Sequence, residues 1–169
     1  MSKAFTRESD DAPDLPLLRP PSSLPHGAKN YITPGGVRQL RESLNHLLQT
    51  ERPSVAAMTD LAEQKRQLQI LNQQIVQFEQ SLGTAEIVPP PAKPWEQVRF
   101  GATVTVRERS GVELNYRIVG VDETDLDRDW VSWCSPLAKA LLNAQLSQRV
   151  RFRTPSGEQE LEITAINYE

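Results

Sequence analysis

The stretch TPGGVRQLRESLNHLLQTERPSVAAMTDLAEQKRQLQILNQQIVQFEQSLG, Thr33 to Gly83, decides the fold. Thr33 followed by Pro34 has the chemistry of a helix start. The hydroxyl can accept from a free backbone N–H, and a missing N–H at the first helical position costs nothing. Val37, Leu40, Leu44 and Leu47 then recur at steps of three and four, the spacing of a helix that meets one partner along a narrow stripe. The stripe weakens at Glu51 and Ser54 before Met58. It resumes with Leu61, Leu68, Leu71, Ile75, Phe78 and Leu82, and Gly83 stands where a helix would stop. Each helix can bury its stripe only against the other, which predicts an antiparallel helical hairpin, a coiled coil with its tip near Ala57 to Asp60. Pro53 predicts a kink or an early break in the first arm, because its ring presses on the preceding turn at a cost of about 3 kcal/mol.

Outward from this stretch the composition changes on both sides. Residues 1–33 carry Pro13, Pro16, Pro20, Pro21 and Pro25 with no sustained period, and read as a disordered tail in which Leu15, Leu17 and Leu18 could form a partner-binding stretch. The hairpin is assigned to 34–88 and a stiff proline-rich linker to 89–98, on Pro89, Pro90, Pro91 and Pro94. From 99 to 169 strand formers dominate. Thr103–Arg107 and Glu113–Val119 alternate around Ser110-Gly111, and Arg149–Arg153 and Glu158–Ile166 flank Pro155-Ser156-Gly157. One helix is predicted from Pro136 through Leu146. The fold class is therefore α+β, a helical hairpin followed by a mostly antiparallel sheet with one covering helix.

Composition narrows the function. Hydrophobic residues make up 38% and aromatics 6%, which suits an elongated chain with a modest core. With 19 basic and 22 acidic residues the net charge is −3, so no domain-wide positive field is available for DNA binding by the chain alone. One cysteine, Cys134, excludes a disulfide framework and suits a reducing, cytoplasmic setting. No apolar run is long enough for a membrane span and no secretory signal is evident.

Catalytic machinery is missing from the inventory. His26 reads as a loop residue and His46 as a solvated helix residue, so neither is placed as a general base. The glycines form no phosphate cradle. The acidic run Asp122 to Asp127 lacks the glycine and terminal glutamate of a calcium loop and reads as a solvated loop. Arg149, Arg151 and Arg153 share one strand face, read as the wet side of a half-covered sheet. The chain is expected not to be an enzyme.

The residues then bring a family into view. Phe100-Gly101-Ala102-Thr103-Val104, Tyr116 to Glu123, Val131-Ser132 with Ser135-Pro136-Leu137-Ala138-Lys139-Ala140-Leu141-Leu142, Thr154 to Gly157 and Ile166-Asn167-Tyr168 resemble, in order, the C-terminal domain of the Gre transcript-cleavage and elongation factors. Tyr31 to Gly36, the seam leucines and Glu51-Arg52-Pro53 extend the resemblance to the hairpin, so that it runs from about residue 31 to the end. It implies a coiled-coil hairpin joined to an FKBP-like domain. It also implies RNA polymerase as partner, with the hairpin in the secondary channel and the C-terminal domain on the channel rim. Contact with transcript or DNA would be indirect, within that complex, and a monomer is expected. Rim contact falls on Ser132, Cys134, Ser135 and Pro136.

In this family two acidic tip residues help hold a magnesium ion in the polymerase's own centre, and the polymerase performs the hydrolysis. The family's tip stretch of glycine, aspartate, two residues, glutamate and asparagine is missing here. The coil is also shorter by about a dozen residues, which over two arms at about 1.5 Å per residue shortens the reach by roughly 10 Å. Asp60 and Glu63 keep an acid spacing of three at the tip, but Asp at the N-cap with Glu at the third position is also ordinary helix capping. The second arm is rich in glutamine, with Lys65 and Arg66 as its basic residues, and Cys134 stands where the family's contact loop often has an acid. The expected function is thus an elongation regulator that binds polymerase and need not stimulate cleavage, with no cofactor beyond a magnesium ion shared with the polymerase. The alternative is a full cleavage factor using Asp60 and Glu63. A third reading, prolyl isomerase activity, is disfavoured because no aromatic-lined pocket is evident.

Overall fold

The computed structural model describes residues 24–169. Pro13 to Pro21 of the predicted tail, with Leu15, Leu17 and Leu18, lie outside the described residues.

The first element is one the sequence did not announce. Strand β1 (Asn30–Ile32) falls inside the predicted tail and pairs in parallel with β2 (Ala85–Ile87), Asn30 opposite Ala85 and Ile32 opposite Ile87. A three-residue strand has no periodicity to read, so only the arrival of its partner reveals it. Between these strands lies the hairpin. Helix α1 (Pro34–His46) is capped as predicted, with Thr33 Oγ1 accepting from the Gly36 N–H at 3.0 Å.

Pro53 does not break the arm. A π-helical turn, Leu47–Glu51, precedes α2 (Arg52–Ala56), and the Arg52 N–H reaches back five residues to the Leu47 carbonyl. The wider turn moves the carbonyl that the proline ring would strike and absorbs one extra residue. That insertion shifts the stripe by one, so Val55, not Ser54, packs against Leu47, Leu71 and Ile75. Helix α3 (Leu61–Thr84) returns over 24 residues, and Phe78 and Leu82 close the root around Ile32, Val37 and Leu40. Two further differences follow from geometry. Leu61, placed on the seam by its spacing, is 75% exposed, standing at the first position of α3 beyond the end of α2 at Ala56. Gly83 is still helical, and the helix gives way one residue later to β2.

The C-terminal part is a curled five-stranded sheet of β3 (Thr103–Glu108), β4 (Glu113–Val119), β5 (Trp130–Ser132), β6 (Arg149–Thr154) and β7 (Gly157–Asn167), in the order β5-β4-β3-β7-β6. The two hairpins match the sequence reading to within a residue or so. Strand β5 was not foreseen, and its parallel pairing with β4 departs from the otherwise antiparallel pattern. The covering helix α4 (Pro136–Leu141) is shorter than predicted, since Leu142 leaves the helical region and Asn143 takes a left-handed φ of 67°. On β7 the inward residues change parity between Ile163 and Ile166, and a bulge opposite Thr105 absorbs the extra residue, so both stay in the core.

The predicted linker 89–98 ends inside this core. Val98 is fully buried, and Tyr168 holds the segment in place: its hydroxyl accepts from the Arg99 N–H at 3.0 Å and donates to the Gln97 carbonyl at 3.1 Å.

Candidate functional site at the hairpin tip and the 132–136 loop

At the tip, residues 57–60 join α2 to α3 where equal arm lengths placed them. Asp60 is the N-cap of α3, its Oδ1 accepting from Ala62 N–H at 3.0 Å and Glu63 N–H at 3.2 Å. Gln64 closes the other side, donating to the Ala56 carbonyl at 2.7 Å. Asp60→Ala is expected to cost about 1 kcal/mol through loss of this cap. Thermal melting followed by helical circular dichroism measures it.

Glu63 does not reach back to complete a capping box. Its carboxylate turns along the helix, taking Arg66 Nη2 at 2.8 Å and Nε at 2.9 Å and Gln67 Nε2 at 2.7 Å. Hydrogen bonding by Arg66, and then by Gln67, pulls its pKa down from 4.5 to about 2. A carboxyl lowered by folding favours the folded state above its ordinary pKa. That contribution therefore holds at neutral pH and fades as pH falls from 4.5 toward about 2. Carbon-13 titration of the Glu63 carboxyl should show the low midpoint, and Arg66→Ala should move it back toward 4.5.

The second candidate, Ser132 to Pro136, is a braced turn. Trp133 N–H donates to the Val119 carbonyl at 2.9 Å, Ser135 N–H to the Ser132 carbonyl at 2.9 Å, and Cys134 N–H to Ser132 Oγ at 3.2 Å. Ser135 caps α4, its Oγ accepting from Ala138 N–H at 3.1 Å, and leaves Pro136 exposed at the first helical position. Cys134 is a half-buried free thiol. The loop therefore presents a fixed shape whose polar groups bond mostly to its own backbone. At about 1.5 Å per residue, the 24-residue α3 carries the tip about 36 Å from the hairpin root. The two candidate regions do not form one site.

What joins them is a residue the sequence reading passed over. Glu123, taken as part of a solvated acidic loop, is 93% buried by its 7% exposure and sits between the hairpin root and the sheet. Its Oε2 accepts from Thr33 N–H at 2.9 Å and Gly120 N–H at 3.0 Å, and its Oε1 accepts from the Thr33 hydroxyl. Glycines make room for it. A Cβ on Gly36 would stand 2.2 Å from Glu123 Oε1, and one on Gly120 would stand 2.2 Å from the Tyr31 carbonyl oxygen. The signal that could have found it is a glutamate three residues after Gly120, where a side chain reaches back to cap a turn. In the rest of the acidic run Leu126 and Asp127 are exposed as read, but Asp122 and Asp125 are half-buried, Asp122 accepting from Asn30 Nδ2 at 3.5 Å and Asp125 from the Asp127 N–H at 3.1 Å.

Other placements are mixed. His26 lies in an exposed turn, and His46 is an exposed helix end 3.4 Å from Glu51. Arg151 and Arg149 face solvent beside Glu160 at 3.1 Å and Glu162 at 3.8 Å, so that face is a cross-strand charge ladder. An aromatic-lined groove does exist, contrary to the sequence reading. Tyr31 packs at 5.9 Å from Phe100 and 5.1 Å from Trp133, and β1, which supplies Tyr31, was read as tail. Among the described residues no cluster of three His, Cys, Asp or Glu side chains could hold a metal ion, and no helix is long and apolar enough to cross a membrane.

Comparison with known proteins places this architecture. Residues 93–168 match the family model for the transcription elongation factor GreA/GreB C-terminal domain. The transcription elongation factor GreB of Neisseria meningitidis is 34% identical over 154 residues, covering 83% of this chain and 94% of the relative. GreB of Pseudomonas aeruginosa is 36% identical over 151 residues, with 81% and 89% covered, and GreA of Alkalilimnicola ehrlichii is 35% identical over 156 residues, with 83% and 99% covered. A solved GreA/GreB structure from Nitrosomonas europaea is 22% identical, with a TM-score of 0.42 over 83% of this chain and 100% of that one. Sustained identity through both the hairpin and the sheet shows that the chain belongs to the GreA/GreB family of transcription elongation factors.

Proposed function

We propose that this chain regulates transcript elongation by binding RNA polymerase, with the coiled-coil hairpin entering the secondary channel and the FKBP-like C-terminal part seated on the channel rim through Ser132, Cys134, Ser135 and Pro136. Family membership supports the partner. The observation that carries the mode of action is the tip, where both acids already have partners within the chain. Asp60 caps α3, and both Glu63 oxygens are engaged by Arg66 and Gln67. Carboxylates so arranged do not fit the pairwise hold on a magnesium ion, so no cleavage step is derived from them. The chain itself is then not an enzyme, and it acts as a monomer by occupying the channel.

Transcript cleavage in arrested elongation complexes tests this. The proposal expects little stimulation by the wild-type chain, and competition with a cleavage-competent factor for the channel. Strong stimulation that disappears in Asp60→Ala would instead establish Asp60 and Glu63 as a metal-holding pair. Failure to bind core polymerase at all would remove both readings.

A further inference from the structure

We infer that Leu61, at the leading end of the hairpin, is the residue through which the tip engages RNA polymerase, seating on an apolar surface edged by carboxylates, with Lys65 pairing to that edge. This rests on the reading that the hairpin enters the channel, and it names the kind of surface the tip meets there. The tip is apolar where a hairpin end surrounded by water would be polar. Ala56, Ala57, Leu61 and Ala62 are all exposed, and Leu61 keeps 75% of its surface in water. It belongs to neither apolar cluster of the hairpin, so the seam makes no use of it. A single exposed leucine says little by itself. This one stands among three exposed alanines and on a backbone that is tied down.

Asp60, the residue before it, accepts from the Ala62 and Glu63 N–H groups, and Gln64 Nε2 donates to the Ala56 carbonyl at 2.7 Å and the Met58 carbonyl at 3.4 Å. A contact side chain carried on an ordered backbone gives up little freedom when it is covered, so more of its burial counts toward binding. Charge then selects the surface. Asp60 and Glu63 are turned to partners within the chain. Lys65 and Arg52 are exposed, and neither has an acidic partner among the described residues. Lys65 follows Leu61 by four residues, which puts both on one helix face. An apolar centre beside unpaired cations is complementary to an apolar surface with carboxylates at its margin. This face lies about 36 Å from the hairpin root and is the part of the chain that the channel encloses first, so the surface belongs to the polymerase.

The test measures binding of the full chain to core polymerase, directly and in competition with a cleavage-competent factor. Leu61→Ser is expected to weaken binding about tenfold, the scale of one buried leucine side chain, with an unchanged melting temperature because no apolar cluster of the hairpin includes it. Lys65→Glu is expected to weaken it as well, by a factor that shrinks as salt is raised. Val112→Ser removes another exposed apolar side chain, in the turn between β3 and β4, and is expected to leave binding unchanged. If wild type binds and Leu61→Ser binds as tightly, the inference is overturned while the channel reading stands. If wild type does not bind polymerase, both fall. Self-association of the free chain that Leu61→Ser abolishes also overturns the inference, because a second copy would then be what covers the tip.

Discussion

Glu123→Ala is expected to lower the unfolding free energy by about 3 kcal/mol and to loosen the hairpin from the sheet. The truncation leaves the buried Thr33 N–H, the Thr33 hydroxyl and the Gly120 N–H without their acceptor. Stranding buried donors costs about 1–3 kcal/mol even for neutral groups, and more where the lost acceptor is charged. Chemical denaturation measures the energy, and solution scattering the hairpin's attachment. Gly36→Ala gives an independent route to the same result, because its Cβ would lie 2.2–2.6 Å from the Glu123 carboxyl end and must displace it. An Glu123→Ala variant within about 0.5 kcal/mol of wild type, the range of ordinary surface changes, would show that the junction is held elsewhere.

Leu141→Ala is expected to destabilise the C-terminal part by about 3 kcal/mol, within the range measured for emptying a buried leucine site. Leu141 is fully buried in the sheet's core, and α4 has only six residues, too few to be stable without packing. The substitution therefore also loosens the anchor behind Ser135 and Pro136, so affinity for polymerase should fall while the hairpin's helicity is retained. Lys139→Ala, exposed on the same helix, should leave stability within about 0.5 kcal/mol. Unchanged polymerase affinity in a clearly destabilised Leu141→Ala protein would argue against the 132–136 loop as the rim contact.

The sequence was legible where a signal repeats or where a residue acts on its immediate neighbours. Leucines at steps of three and four located both arms and the tip, because a helix face recurs every 3.6 residues whatever lies opposite. Thr33 and Asp60 were readable as caps, because each bonds to N–H groups two or three residues away. Alternation gave β3, β4, β6 and β7 for the same reason.

The remainder depended on partners far along the chain. Thr33 and Glu123 are 90 residues apart, and the local spacing from Gly120 marks Glu123 as a turn cap without telling that it is buried while Asp127, four residues on, stays exposed. Strands β1 and β5, each three residues long, exist because β2 and β4 come alongside. The exchange of Ser54 for Val55 on the seam required the facing helix to select the apolar residue once the π turn had shifted the register. Local periodicity and capping set which segments become helix or strand. Which acid is buried, and how the hairpin meets the sheet, is decided only when distant groups are brought into contact, since a hydrogen-bonding group is committed to a partner only when folding removes it from water.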